Sequence, residues 1–137
     1  MRALAERLRA TGRDPVLTRE PGGAPGAEAI RALLVTGDPG RWSAATEALL
    51  FTAARRDHME RVIAPALAAG RVVLCDRFVD STRAYQSAGE ADAAAARGRV
   101  DALHALAIGR EADLTLILDL DPAVGLARAA ARAGASP

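Results

Sequence analysis

The sequence predicts an α/β fold, in which short parallel strands alternate with helices within one domain. Two apolar runs, at residues 72–75 and 114–118, each end in an aspartate, and longer stretches with helical spacing of apolar residues separate them. This alternation is typical of a parallel sheet covered by helices and joined by right-handed crossovers. The chain has 137 residues, 50% of them apolar, and it shows no repeat or linker. One domain spanning residues 1–137 is therefore expected.

The helices are predicted from apolar spacing and from residues that begin or end a helix. Gly12 can end the first helix, Ser43 can cap a long one and Asp121 can cap the last. Pro65 should kink the long helix or end its regular part. The predicted helices cover the first dozen residues, residues 25–35, 43–69, a polar stretch after residue 76, residues 93–109 and a stretch beginning at residue 122. Apolar residues expected to face inward are Leu4 and Leu8 on the first helix, and Ile30, Leu33 and Leu34 on the second.

The strands are predicted over residues 15–18, 71–75 and 114–118. The last of these is nearly all apolar, which is typical of a strand buried on both faces of a parallel sheet. Ligands of open α/β sheets bind beyond the carboxyl ends of the strands. These ends carry the segments TREPGG, DRF and DLDP, so we expect the functional site there.

Composition narrows the classes of protein to which the chain can belong. The net charge is only +1, which argues against a general nucleic-acid binder, and all 18 basic residues are arginine. No apolar run approaches the roughly 18 residues of a membrane span, and no secretory signal is apparent. Cys75 is the only cysteine and is expected to be a small buried hydrophobe. A reducing, cytoplasmic location is the simpler expectation.

An acid followed by an arginine ends the second predicted strand. In phosphoryl-transfer enzymes, an acid such as Asp76 helps to hold Mg²⁺ or its waters. Arg77 would offer a planar fork suited to phosphate. The alternative is a surface ion pair at a strand end, and spacing alone leaves both interpretations open.

Further candidate residues lie on two helices. Phe51 and Arg55 share one helix face, so a ring and a guanidinium could together hold a nucleobase; the alternative is a core phenylalanine beside a solvated arginine. The helix after Arg77 offers hydroxyl, ring and amide groups, or simply an exposed polar face. Those groups belong to Ser81, Thr82, Tyr85 and Gln86.

Taken together, these motifs resemble one family. The segment LTREPGGAPGAEAIRALL resembles the loop and helix after the second strand of bacterial thymidylate kinases. LLFTAARRDHMERVIAPALAAGRVVLCDRFVDSTRAYQSAG is similar to that family's base-binding helix, third strand and following helix, and ADLTLILDLDPAVGLARAAARAG to its fourth strand and the approach to its lid. The resemblance implies transfer of the γ-phosphoryl group of ATP to thymidine monophosphate (dTMP) with Mg²⁺, in a protein that is a homodimer when complete.

The resemblance also implies roles for individual residues. Phe51 would stack on thymine and Arg55 would bind its edge, while Arg77 would hold the substrate phosphate with Asp76 beside the metal. Tyr85 would pack against the deoxyribose. The residues expected to line the base or phosphate side of the pocket are Glu20, Pro21, Arg31, Ser81, Thr82 and Gln86. Two further residues, Arg128 and Arg132, are expected to be catalytic arginines near the lid.

One family feature is absent from the sequence. The glycine-rich loop G-x-x-x-x-G-K-[ST], which cradles the phosphates of ATP, does not occur, and the chain contains no lysine. The resemblance then implies an incomplete sheet, without the family's first, central strand and its last strand. Three hypotheses remain: part of a working thymidylate kinase, an inactive remnant that at most binds dTMP, and a kinase for another nucleoside or nucleotide.

Overall fold

A computed structural model describes residues 1–38 and 40–133, with the side chains of Arg132 and Ala133 outside that description. Two of the three predicted strands form, separated by helices, and the chain has the α/β class expected from its sequence. The elements in chain order are α1 Arg2–Ala10, β1 Val16–Arg19, α2 Pro25–Val35, α3 Ala44–His58, a π-helix Met59–Ile63, α4 Ala64–Ala68, β2 Val73–Asp76, α5 Val79–Ser87, α6 Ala93–Ala107 and α7 Pro122–Ala133.

The sheet consists of β1 and β2, which pair in parallel. Their register places Val16 opposite Val73 and Arg19 opposite Asp76. Both strands therefore end at the same edge, and the segments that follow them leave the sheet side by side. This edge is where the sequence predicts the functional site.

The helix boundaries confirm the capping residues read from the sequence. The Ser43 hydroxyl accepts a hydrogen bond from the Thr46 amide at 3.2 Å, at the start of α3. Gly12 follows α1 with a φ of +80°, the left-handed conformation that favours glycine. The long helix continues past Pro65 after a π-helical turn. Because proline has no amide hydrogen, a local change of hydrogen-bond pattern at this position is physically reasonable.

The core is built mainly from small residues on both sides of α3. Ala27 and Ala54 are almost completely buried where α2 meets α3. On the other side, Ala48 of α3 packs with Val79 of α5 and Val100 of α6. Alanine at these contacts lets the helices approach closely, so α3 is held between α2 and the α5–α6 pair.

Residues 114–118 correct the sequence-based prediction of a third strand. They form no strand, and the side chains of Leu116, Ile117 and Leu118 are 67%, 85% and 93% exposed. A strand is stabilised by hydrogen bonds to a neighbouring strand. In the described part of the chain, the sheet contains only β1 and β2, so this apolar segment has no strand beside it.

Two apolar residues also depart from their predicted burial. Leu33 of α2 is 43% exposed and Leu4 of α1 is 39% exposed, whereas both were expected to face inward. The buried faces of these helices are lined instead by Ala27 and Ala5. No helix among the described residues has the length and apolar character needed to cross a membrane.

Candidate functional site

A pocket opens beside the edge where β1 and β2 end. It encloses about 360 Å³ of empty space, part of it open to solvent. Segments distant in sequence contribute to it: the loop after β1, the middle of α3, and the segment from the end of β2 into α5. Its lining comprises Glu20, Pro21, Phe51, Arg55, Arg77, Phe78, Ser81, Thr82, Tyr85 and Gln86.

A buried ion pair forms the innermost wall of the pocket. The Arg55 Nε–H donates to Glu20 Oε2 at 2.7 Å, and its Nη2–H donates to Thr82 Oγ1 at 2.9 Å. The side chains of Arg55 and Glu20 are only 2% and 5% exposed. Because both charges are removed from water, each depends on the other for its stability. The guanidinium is thus fixed in one orientation before any ligand arrives.

The orientation of the Gln86 amide follows from its partner on α3. Gln86 Nε2 donates to Glu47 Oε2 at 2.5 Å. A carboxylate only accepts hydrogen bonds, so the amide nitrogen must face Glu47 and Oε1 must face the other way. Among the described residues, Gln86 Oε1 and Arg55 Nη1 are buried atoms that lack a hydrogen-bond partner. Both residues line the pocket, so its walls include one unpaired acceptor and one unpaired donor, and buried groups of this kind are normally satisfied.

Two phenylalanines supply the apolar part of the lining. Phe51 lies one helical turn before Arg55 on α3, and Phe78 lies directly before α5. The Arg55 guanidinium carbon lies 5.2 Å from the centroid of the Phe78 ring. The Phe78 ring also packs against His104 of α6, with the ring planes at 88°. These contacts restrain the Phe78 ring, and two aromatic side chains in the lining favour a flat ligand.

Arg77 lies at the mouth of the pocket with an unusual backbone conformation. Its φ of +71° makes it the one non-glycine residue with positive φ among those described. This conformation costs roughly 1–2 kcal/mol for an L-residue. The Nη2–H of Arg77 donates to the Tyr85 hydroxyl at 3.0 Å, and its guanidinium lies over the Tyr85 ring. The backbone conformation of Arg77 and its contacts with Tyr85 together hold a permanent positive charge at the opening of the pocket.

The remaining predicted site residues do not line the pocket. Asp76 is exposed at the end of β2, next to Arg77 in sequence. Arg31 does not line the pocket but contacts a residue that does, since its Nη1–H donates to the Pro21 carbonyl at 3.0 Å. Arg128 is exposed on α7, and the side chain of Arg132 lies outside the described residues. Their proposed roles remain predictions.

The glycine-rich loop after β1 is anchored by Glu28 at the start of α2. The Gly23 amide donates to Glu28 Oε1 at 3.0 Å, and Arg19 donates to the same oxygen at 2.9 Å. The Gly23 amide, and then the charges of Arg19 and Arg31, lower the pKa of the Glu28 carboxyl. The carboxylate therefore acts as an acceptor that holds the loop against the pocket.

Position 23 of this loop requires glycine because there is no space for a side chain there. Its φ is +85°, and a Cβ atom there would lie 2.5 Å from both His58 Nε2 and Thr18 Oγ1. Gly12 has a similar φ of +80° but open space around it. We expect Gly12→Ala to lower the free energy of unfolding by about 1–2 kcal/mol, the cost of the left-handed backbone. Gly23→Ala should cost about 1–3 kcal/mol more, because it also overpacks.

Denaturant unfolding of both variants, followed by circular dichroism, measures this difference. Equal losses for Gly12→Ala and Gly23→Ala would contradict the close packing of the loop on His58.

The sequence analysis assigns no role in the site to three residues that shape it: His58, Glu47 and Phe78. Phe78 was recognisable as an aromatic residue at a strand end. The roles of Glu47 and His58 depend on contacts with Gln86 and Glu20, 39 and 38 residues away in sequence, and no local pattern reveals them.

Comparison with known proteins gives a consistent result. Residues 1–136 match the family model described as Thymidylate kinase. The chain is 68% identical over 133 residues to a thymidylate kinase of Ruegeria pomeroyi, covering 97% of this chain and 62% of that relative. It is 62% identical over 136 residues to a thymidylate kinase of Caulobacter vibrioides, covering 99% of this chain and 64% of that relative.

A solved structure is similar as well. The crystal structure of thymidylate kinase from Ehrlichia chaffeensis has a TM-score of 0.76 to this chain at 37% identity, covering 93% of this chain and 71% of that one. The chain spans a little under two thirds of the length of the curated relatives that it matches, 61% to 64%.

Proposed function

The chain belongs to the thymidylate kinase family, and from this premise we propose that its pocket binds dTMP as the acceptor of a phosphoryl group. The observation that carries the proposal is that two residues of the pocket lining each have one buried atom without a partner among the described residues, Arg55 Nη1 and Gln86 Oε1. Thymine presents the O4 carbonyl as an acceptor and the adjacent N3–H as a donor. Arg55 would donate to O4, and Gln86 would accept from N3–H, so one base satisfies both groups.

The same edge argues against cytosine. Cytosine places an amino donor where thymine has O4, and its N3 is an acceptor. The Arg55 donor would face the amino group, and Gln86 Oε1 would face N3, so both contacts would be mismatched. Glu47 is essential to this discrimination because it prevents the Gln86 amide from turning over to suit cytosine.

The other lining residues fit the rest of the nucleotide. Phe51 offers a ring on which the base can stack, and Tyr85 lies where the sugar would pass. Arg77, at the mouth, would bind the 5′-phosphate with its planar fork. This order of base, sugar and phosphate runs from the buried ion pair outward to solvent. The acceptor oxygen of the phosphate would then lie near the ends of β1 and β2.

The proposed reaction is transfer of the γ-phosphoryl group of ATP to the phosphate of dTMP. Mg²⁺ in such sites is held by one or two carboxylates together with substrate phosphates, and the exposed carboxylate of Asp76 beside Arg77 fits the part of one such ligand. The ion would neutralise charge that develops on the phosphates during transfer. The residues of this chain would bind the acceptor, orient its phosphate and restrain it with Arg77.

A comparison of three nucleotides tests the base assignment. We expect dCMP to bind about 30-fold or more weakly than dTMP, because each unsatisfied buried group costs about 1–3 kcal/mol. dUMP presents the same edge as dTMP and lacks only the methyl group, so its affinity should be about fourfold lower, which corresponds to the free energy of burying one carbon. Isothermal titration calorimetry of the full chain with each nucleotide measures these ratios.

The outcomes test the acceptor and the reaction separately. Binding of dTMP, followed by formation of dTDP when ATP and Mg²⁺ are added, supports the thymidylate kinase assignment and contradicts an inactive remnant. Binding without phosphoryl transfer supports the acceptor site alone, and fits both a part of a working kinase and a remnant that at most binds dTMP. Equal affinity for dCMP and dTMP would contradict the base assignment and favour another nucleotide as the acceptor.

A further inference from the structure

A chain of hydrogen bonds connects the end of β1 to the pocket through a buried histidine. Thr18 Oγ1 lies 2.6 Å from His58 Nε2, and His58 Nδ1 lies 3.3 Å from Glu20 Oε1. The other oxygen of Glu20 accepts from Arg55 Nε. The His58 side chain is 0% exposed. We call these four residues the relay.

The partners of His58 determine which of its nitrogens carries the proton. Glu20 is paired with the Arg55 cation, and an ionised carboxylate accepts hydrogen bonds but donates none. The His58 nitrogen that faces it, Nδ1, must therefore carry a hydrogen. With Nδ1 protonated on a neutral ring, Nε2 accepts a hydrogen bond from the Thr18 hydroxyl.

We propose that His58 is a positioning residue for the base-binding arginine, a role that rests on the proposed function of the pocket. A carboxylate bound only to Arg55 would be free to rotate about its terminal torsion. The His58 Nδ1–H fixes the second oxygen of Glu20, so that the carboxylate plane has one orientation. Arg55 follows that plane, while Thr82 holds its Nη2, and the Arg55 Nη1–H then keeps a constant direction.

The surroundings of the relay bury His58, Glu20 and Arg55 and hold the histidine ring in place. Gly23 approaches so closely that a Cβ atom there would lie 2.5 Å from His58 Nε2 and from Thr18 Oγ1. The loop that follows β1 therefore covers the Thr18–His58 contact directly. The contacts of Glu20 with His58 and Arg55 are buried, and in such a setting a hydrogen bond is stronger than in water and an unpaired group is more costly.

A metal site is the competing interpretation of the same residues. Ligand atoms of Glu20, His58 and Cys75 lie within 4.8 Å of one another. However, Arg55 already neutralises Glu20, and both nitrogens of His58 have hydrogen-bond partners. Burial, and then the charge of Glu20, raise the pKa of the Cys75 thiol to about 12, so the sulfur retains its proton near neutral pH. The contacts favour a hydrogen-bonded relay over a cation.

Two isosteric substitutions separate the Glu20 contact from the Thr18 contact. An asparagine amide nitrogen matches the position of a histidine Nδ1, and a glutamine amide nitrogen matches that of Nε2. His58→Asn keeps the donor that faces Glu20, so we expect its affinity for dTMP to stay within about threefold of the wild type. His58→Gln loses that donor, so we expect its affinity for dTMP to fall about tenfold or more, which corresponds to one hydrogen bond to a charged group. Thr52→Val is the matched control, because it removes a buried hydroxyl of α3 that bonds only to Ala48 of its own helix.

The measurements are calorimetric titration of the full chain with dTMP and ¹⁵N spectroscopy of the histidine rings. We expect the wild-type His58 ring to carry its hydrogen on Nδ1, with the resonance assigned by its disappearance in His58→Asn. A bare Nδ1 with a protonated Nε2, or equal losses of affinity in both variants, would overturn the proposal. If the wild type failed to bind dTMP, the proposed function would fail instead, and the ring spectrum would still decide the protonation of His58.

Discussion

Glu20→Gln is expected to lower the free energy of unfolding by about 3–5 kcal/mol, the usual cost of leaving a buried charge without its partner. The Arg55 guanidinium would remain in the interior, with its Nε facing a neutral amide. Its other contacts, to the Thr82 hydroxyl and the Phe78 ring, carry no compensating charge. The loss should appear as a lower midpoint of denaturant unfolding with an unchanged slope.

The matched control is an ion pair of the same type on the surface. Arg56 and Glu60 pair at i,i+4, with side chains 53% and 56% exposed. Glu60→Gln should cost less than about 1 kcal/mol, because exposed ion pairs contribute little in water. A Glu20→Gln variant that lost no more stability than Glu60→Gln would contradict the burial of the pair.

A double substitution tests whether the cost arises from the unpaired charge. Glu20→Gln combined with Arg55→Met removes both charges and retains most of the side-chain volume. Replacing a buried ion pair by apolar groups is often close to neutral, so the double variant should recover most of the stability lost in Glu20→Gln. Additive losses in the cycle would show instead that the two side chains contribute independently.

The helices and most of the residues that line the pocket could be predicted from the sequence because their signals are local. Ser43 begins α3 through contacts within four residues, and the spacing of Phe51 and Arg55 on one helical face follows from helix geometry alone. The parallel register of β1 and β2 was not predicted, but the rule that sites lie at strand ends directed attention to TREPGG and DRF. Ten residues from these segments and from α3 and α5 line one pocket.

Features that depend on partners distant in sequence were not accessible. Residues 114–118 have the composition of a buried strand, but composition cannot supply the neighbouring strand that such a segment needs. Leu33 has helical spacing with Ile30, yet the neighbouring helix contacts α2 at Ala27, and the leucine remains exposed. In the same way, the sequence identifies His58 and Glu20 as separate polar residues, and only the fold shows that they form one buried network.

Arg77→Lys is expected to raise the dissociation constant for dTMP by about 10- to 100-fold, because a point charge replaces a fork that can form two hydrogen bonds to charged oxygens. The change also removes the guanidinium group that donates to the Tyr85 hydroxyl. Thymidine lacks the phosphate, so its affinity should remain within about twofold. The ratio of the two affinities therefore isolates the phosphate contact from the base contact.

Arg41 provides the control for this substitution. Its guanidinium lies 4.6 Å from the centroid of the Trp42 ring, an arrangement like that of Arg77 on Tyr85 at 5.2 Å, but it does not line the pocket. Arg41→Lys should leave the affinities for dTMP and thymidine unchanged. If Arg77→Lys weakened the binding of thymidine as much as that of dTMP, Arg77 would act on the shape of the pocket rather than on the phosphate. If Arg77→Lys weakened the binding of neither ligand, residue 77 would have only a structural role, in the turn between β2 and α5.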